Sequence, residues 1–265
     1  MGKPLADSRS RLQGKRALVT AGAQGIGAAI SHALIAAGCD VFVHFRSSVN
    51  EAEAIVATAE AAGVHAGCWG ADLTVPAECQ ALVSAAVARL GGLDILINNA
   101  GSLVGRKTLA EAEDAFWDEV FALNVRSLRL VTRAAAPHLI AAVETGGGAS
   151  IVNLSSLAGR KGGHAGSLVY STAKGAVLTF TRALANELGP RGVRVNAVAP
   201  GLILGTSFHA THTTPESARA TIAGIPLNRG GTPEDVARAV LFLAGEYDGF
   251  ITGATLDING GVYSA

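Results

Sequence analysis

Tyr170 and Lys174 stand four residues apart in Tyr170-Ser-Thr-Ala-Lys174, at the start of a segment whose spacing predicts a helix to about Leu188. Positions i and i+4 share one helical face, so the ammonium can sit beside the phenol. A free phenol, with a pKa of about 10, is a poor acid or base at neutrality. A neighbouring cation favours the phenolate and draws that pKa toward the working range. Upstream, Ile151-Val-Asn-Leu-Ser155-Ser156 reads as a strand ending in two hydroxyls. One of them could hold a carbonyl against the phenol; such a pair is also ordinary turn chemistry.

A second pattern suits phosphate. Thr20-Ala21-Gly22-Ala23-Gln24-Gly25-Ile26-Gly27 follows a short apolar run and opens a helical stretch. Glycines here give a tight turn, close backbone approach to a pyrophosphate and close helix–strand packing. The helix N-terminus adds free N–H groups and the positive end of its dipole. The next strand ends Val43-His44-Phe45-Arg46-Ser47-Ser48, without the carboxylate that would bind an adenosine ribose. Arg46 and Ser47 suit a 2′-phosphate instead, which favours NADP(H) over NAD(H).

The elements that must position these groups alternate along the chain. Short apolar runs predict strands at Ala17–Thr20, Val41–Phe45, Val64–Trp69, Asp94–Ile97, Ser150–Leu154, Val193–Ala197 and Ala254–Ile258. Ala-rich stretches at helical spacing separate them. Strands apolar on both faces with intervening helices indicate an α/β fold, a doubly wound parallel sheet of about seven strands with helices on both faces. Residues 1–13 read as a polar N-terminal extension, and 14–265 as one domain without a linker or repeat. Pro200 to Pro226 is a long connection, so a lid is expected at about 201–226.

Composition narrows the function further. The 265 residues carry 21 Lys plus Arg against 21 Asp plus Glu, without the basic excess of a nucleic-acid binder. Hydrophobic residues at 49% and charged residues at 16% speak for a large core or subunit interfaces. Cys39, Cys68 and Cys79 show no disulfide or metal spacing and read as apolar fillers in a reducing compartment. No acid completes a metal site around His209 and His212. No secretory h-region or membrane-length apolar run is present, so a cytoplasmic protein is the expectation.

Together these motifs resemble the short-chain dehydrogenases/reductases over nearly the whole chain, from about Gly14 to Gly261. They appear in order: Thr20 to Gly27, Asp72-Leu73, Asn98-Asn99-Ala100-Gly101, Asn124, Ser156, Tyr170-x-x-x-Lys174 and Pro200-Gly201. The stretch from Arg229-Gly-Gly-Thr-Pro-Glu-Asp to Asp257-Ile-Asn-Gly-Gly261 is similar to the 3-oxoacyl-carrier-protein-reductase-like branch. The resemblance implies a Rossmann-type fold, a homotetramer, and Tyr170 as general acid in reduction and base in oxidation. It implies that Lys174 tunes Tyr170 and bonds the nicotinamide ribose, that Ser156 polarises the carbonyl, and that Asn124, in the long helix after the fourth strand, holds a relay water. It further implies cofactor contacts from the glycine turn (Gly22, Gln24, Gly25, Ile26, Gly27), Asp72, Leu73, Asn99, Ala100 and Gly101. Pro200, Gly201 and Ile203 complete that set.

Four departures stand out. Ala21 replaces the family's first turn glycine. One extra residue between Ser156 and Tyr170 leaves Ser155 as an alternative to Ser156, and another after Pro200 leaves the role of Thr206 open. The basic cluster before the fifth strand is missing, which argues against docking of an acidic carrier protein. The expectation is therefore an NADP(H)-dependent oxidoreductase that interconverts a secondary alcohol and a ketone on a small molecule. Its rivals are an NAD(H)-dependent sugar or polyol dehydrogenase and a non-catalytic dinucleotide sensor. In the rim of the pocket, Arg106, Arg160, Lys161 and His164 could read a polar or anionic substrate.

Overall fold

The computed structural model describes residues 12–206, 211, 213–245 and 249–264. His209 and His212 lie outside the described residues, as do the first eleven residues of the expected extension. Seven parallel strands form one sheet: β1 (Arg16–Val19), β2 (Asp40–Phe45), β3 (Ala66–Gly70), β4 (Ile95–Asn98), β5 (Ala149–Leu154), β6 (Val193–Pro200) and β7 (Thr255–Ile258). Their order is β3-β2-β1-β4-β5-β6-β7, the doubly wound arrangement.

Period-two alternation explains why these runs are apolar throughout. In β1, Ala17 and Val19 face one layer of side chains while Leu18 faces the other. In β4, Ile95 and Ile97 oppose Leu96 in the same way. One layer is covered by α1 (Gly25–Ala36), α2 (Val49–Ala61) and α9 (Pro233–Gly245) through Ile30, Leu34, Ile55, Val236 and Val240. The opposite layer lies under α3 (Pro76–Leu90), α5 (Ser127–Glu144) and α7 (Leu168–Leu188), with Leu82, Val131, Leu139 and Leu188 buried. Burying both faces of a sheet is what selects β-branched and aliphatic runs over alternating ones.

Four local differences from the sequence expectation have physical causes. β6 runs to Pro200 because Ala197–Pro200 pair with Thr255–Ile258 of β7. The expected third strand loses Val64 and His65, where the His65 N–H bonds the Asp40 carboxylate instead of a ladder partner. The connection after β6 holds α8 (Pro215–Ala223), started by Pro215 and by Thr214 Oγ1 accepting from Ser217 N–H. At the N-terminal edge of the domain, Leu12 is buried in the core and its carbonyl accepts from Cys39 Sγ.

The turn from β1 into α1 is built around a strained residue. Ala21 has φ +48, a left-handed conformation that costs a residue with a Cβ about 1–2 kcal/mol. Its N–H donates to His44 Nδ1 at 2.9 Å, and its carbonyl accepts from Asn99 Nδ2 at 3.0 Å. His44 Nε2 lies 3.0 Å from the Ala71 carbonyl. With a donor on one side and an acceptor on the other, the buried ring must be neutral and protonated at Nε2. His44 thus ties the first turn to the end of β3. A Cβ on Gly27 would lie 2.0 Å from the Ala21 carbonyl oxygen, so that position admits no side chain.

Ala21→Gly should raise the denaturation midpoint by the equivalent of about 1 kcal/mol by relieving the strain, whereas Gly27→Ala should cost about 1–3 kcal/mol by overpacking. Urea unfolding of both variants reads this directly, and a neutral or destabilising Ala21→Gly would contradict it.

Burial lowers the pKa of His44, against the opposing Ala71 hydrogen bond. The unfolded chain, with a His pKa of about 6.5, then binds a proton that the native state refuses. The His44 contribution to stability is therefore full above that pH and is lost as pH falls through the lowered native value. Unfolding at pH 7.5 and at pH 5 should show a steeper loss in the wild type than in His44→Gln. Parallel losses would contradict the assignment.

Candidate active site

The strand order reverses between β1 and β4, and in such sheets ligands bind outside the carboxyl ends of the strands at that point. A cavity of about 630 Å³ opens there. Its walls come from the β1–α1 turn and from the residues that follow β4, β5 and β6.

Lys174 organises one end of the cavity. It is buried, and its Nζ donates to the Leu154 carbonyl at 2.8 Å, at the end of β5. Its own carbonyl accepts from Ser155 Oγ at 2.8 Å. Two glycines make room for it. A Cβ on Gly101 would lie 2.9 Å from Lys174 Nζ, and one on Gly159, in α6 (Leu157–Lys161), would lie 2.6 Å from the Lys174 carbonyl carbon. Lys174 Nζ lies 5.8 Å from the centre of the Tyr170 ring, within cation–π range.

Ser156 caps α6, accepting from Ala158 N–H at 3.1 Å, and it also hydrogen-bonds Tyr170. It lines the cavity with Tyr170 and Lys174. Ser155 lines the cavity too, but its hydroxyl is committed to the Lys174 carbonyl. The geometry therefore pairs Tyr170 with Ser156.

Burial governs the ionisation of both groups. It pushes the Tyr170 phenol up to about 12, against the Ser156 hydrogen bond, and it pushes Lys174 down to about 8. The expectation that the lysine would draw the tyrosine toward neutrality is not what this arrangement produces by itself. Desolvation of the phenolate outweighs the Ser156 hydrogen bond.

Asn124 is not in a regular helix. It is buried in a π-turn, Ala122–Arg126, that joins α4 (Asp114–Phe121) to α5. Its Nδ2 donates to the Ser102 and Val120 carbonyls, and its Oδ1 accepts from Ser102 N–H. A Cβ on Gly101 would come within 2.7 Å of that oxygen, so Asn124, Gly101 and Lys174 converge. π-Turns of this kind are frequent at functional sites. Below them runs a buried chain of side chains: Asn98 Nδ2 donates to Asn153 Oδ1, and Asn153 Nδ2 to Thr181 Oγ1.

At the other end of the crevice, Gln24, Gly25, Ile26 and Gly27 line the cavity. The first turn of α1 holds no acid and Gln24 supplies no side-chain cap. Its N–H groups are thus left for an anion, the requirement for a dinucleotide pyrophosphate. Asn99 and Ala100 both donate backbone N–H bonds to Thr20 Oγ1, which fixes the loop after β4. Pro200, Gly201 and Ile203 also line the cavity, Ile203 being almost fully buried.

Gly22 is held in the turn by Ser31 Oγ rather than facing the cavity. Arg46 and Ser47 are exposed at the end of β2. Asp72 accepts from Thr74, which with the nearby Arg46 keeps its carboxyl below the usual range. Leu73 is a core side chain, packed with Leu82 and Leu96.

One residue escapes a reading of the sequence, and a second is left open by it. His44 is a lone histidine inside an apolar strand, the only hint of its bridging role. Thr206 lines the cavity opposite Gly25, whose Cβ would sit 3.5 Å from its methyl group; the added residue after Pro200 obscures that placement.

A family described as enoyl-(acyl carrier protein) reductase matches residues 20–263. The chain is 35% identical over 249 residues to the 3-oxoacyl-(acyl-carrier-protein) reductase of Staphylococcus aureus, covering 94% of this chain and 98% of that protein. A short-chain dehydrogenase from Burkholderia cenocepacia in complex with NADP superposes with a TM-score of 0.86 at 36% identity, over 96% of this chain and all of that one. The NADH-dependent reductase A1-R′ complexed with NAD gives 0.85 at 35% identity, over 97% and 100%. The chain belongs to the short-chain dehydrogenase/reductase family, in its 3-oxoacyl-carrier-protein-reductase-like branch, and is a nicotinamide-dinucleotide-dependent oxidoreductase.

Proposed function

We propose that this protein interconverts a secondary alcohol and a ketone on a small molecule, with NADP(H) as cofactor and Tyr170 as the proton donor in reduction. The observation that carries the reading is the Ser156–Tyr170–Lys174 cluster at the wall of one cavity. The bound dinucleotide supplies or accepts the hydride, chemistry that belongs to the cofactor.

This chain's residues do the rest. Ser156 and Tyr170 hold the carbonyl oxygen between two hydroxyls, and the Tyr170 proton passes to that oxygen as charge develops on it. Lys174, still largely an ammonium at neutral pH, stabilises the phenolate left behind. Asn124 holds the loop after β4 against Lys174 through its bonds to Ser102, close enough to that ammonium to support a relay of protons to solvent. Oxidation runs the same steps backwards.

Arg46 and Ser47 at the exposed end of β2 support the choice of NADP(H), with Asp72 beside Arg46 on the adenine side. Among the relatives, one structure carries NADP and another NAD, so the proposal rests on the strand end rather than on the family. The described residues include no helix long and apolar enough to cross a membrane.

Consumption of NADPH and NADH at 340 nm, against a panel of small ketones, keto-sugars and a β-ketoacyl thioester, tests the reading. Tyr170→Phe should lower kcat by about 10²–10⁴-fold while the protein stays folded by circular dichroism. Undiminished turnover in that variant would overturn the mechanism, and a wild type inert toward every substrate, with polyols tried in the oxidative direction, would favour a dinucleotide sensor.

Arg46→Asp should reduce the NADPH-to-NADH ratio of kcat/KM by about 10–100-fold, the worth of charge-assisted hydrogen bonds to a phosphate. An unchanged ratio would mean that Arg46 only faces water.

A further inference from the structure

The charge around the cavity is one-sided. Residues 101–108, 155–174 and 201–206 hold five Lys and Arg but not one of the chain's 21 acids. Among the described residues that line the cavity there is likewise no carboxylate. In a chain whose two signs balance overall, a wall without acids is a feature of the site rather than of the composition.

Three of the five cations do not line this wall of the cavity as surface charges. Arg160 turns away to Asp257, with Nε 3.1 Å and Nη2 3.2 Å from its carboxylate oxygens. Lys107 lies 4.8 Å above the Phe116 ring. Lys174 is the buried ammonium beside Tyr170. The remaining two, Arg106 and Lys161, line the cavity together with His164. Among the described residues Lys161 and His164 make no ion pair.

The backbone holds these groups on one wall. Lys107 N–H donates to the Gly166 carbonyl at 2.9 Å, and Lys107 and Ser167 form an isolated bridge. Arg106 Nη1 donates to the Ala165 carbonyl at 3.3 Å. A Cβ on Gly166, at φ +77, would fall 3.0 Å from Arg106 Cβ, so glycine there is what lets the two loops close. Ser167 Oγ fastens the second loop to the His164 carbonyl. None of these contacts involves the glycine turn, whose neighbours are Thr206, Asn99 and Ser31. The cationic wall therefore belongs to the substrate end of the crevice.

The roof is polar as well. Thr213, Ser217 and Thr221, four residues apart, line the cavity from α8 and the residue pair before it, followed by Ile225. The acid of that helix, Glu216, instead pairs with Arg219 at 3.1 Å, both well exposed.

We propose that the substrate is a small carbonyl compound bearing an oxyanion, a carboxylate in the first instance, that Arg106 and Lys161 hold beneath the hydroxyl-lined roof. This rests on the oxidoreductase reading above and adds the chemical class of the substrate. The guanidinium and ammonium would fix the far end of the molecule while its carbonyl meets Ser156 and Tyr170. A neutral acyl chain would give the Lys161 ammonium no counter-charge and would forgo charge-assisted bonding at this wall.

Matched pairs of acid and amide test this: 4-oxopentanoate against 4-oxopentanamide, and 3-oxobutanoate against 3-oxobutanamide, each with NADPH and NADH. The acids should have the higher kcat/KM by about tenfold, the effect of one charge-assisted hydrogen bond, and added salt should raise their KM. In the doubly substituted Arg106→Met, Lys161→Met protein the acid-to-amide ratio should fall toward one. Calorimetric binding of 4-oxopentanoate to the NADP-loaded protein should weaken in parallel, a readout independent of turnover. Turnover with no preference for the acids, or a preference that survives the double substitution, would overturn the anion assignment and leave the oxidoreductase reading standing. If no member of the panel is turned over, that reading fails for these substrates, and equal acid binding by wild type and variant would then overturn the anion site as well.

Discussion

A buried ammonium sets the terms for this site. Lys174 sits among the ends of β5, the loop after β4 and the first turns of α7, with its charge removed from water and met by one backbone carbonyl at 2.8 Å. An ion in such a place is costly to desolvate and tolerable only when its surroundings are fixed around it. Ser155 bonds its carbonyl, Gly101 and Gly159 leave the space it occupies, and Asn124 draws the 101–102 loop toward it. The lowered affinity of Lys174 for its proton and the raised one of Tyr170 follow from the same burial. The same burial thus keeps the phenol protonated and places a cation beside it.

The sheet supplies the rigid frame for this arrangement. All four loops that shape the crevice leave the carboxyl ends of parallel strands, and those strands are locked by apolar layers on both faces. Each end of the crevice is then specialised by its loops. The β1–α1 turn offers uncapped N–H groups and accepts the strain of Ala21, which His44 and Asn99 hold in place. The opposite wall fastens two loops through Gly166 and presents cations without acids. A shared frame with separately variable ends is how one fold serves many substrates.

Much of this could be read from residues alone. Continuous apolar runs between Ala-rich stretches led to the parallel sheet, because burial on both faces leaves that trace in composition. Tyr170 and Lys174 were legible because a four-residue spacing on a helix is a geometric statement. What stayed hidden depends on where side chains point. Ser155 and Ser156 are chemically alike, and only the path of the chain from β5 into α6 turns one to the Lys174 carbonyl and the other to Tyr170. Arg160 and Lys161 are neighbours, yet one pairs with Asp257 on β7, a partner 97 residues away. The π-turn at Asn124 breaks a helix whose sequence pattern is unbroken, and the balance of desolvation against charge at Tyr170 needs the burial that only packing provides.

The ionisation of Lys174 is the most direct probe of that buried cluster. The chain has five lysines, so side-chain carbon resonances of ¹³C-labelled lysine can be followed through a pH titration of the folded protein, with Lys174→Arg identifying the signal. One lysine titrating near pH 8 and missing in the variant is the expected result. All five titrating near the ordinary value of about 10.4 would mean that the ammonium is solvated, which would contradict the buried Lys174 cluster.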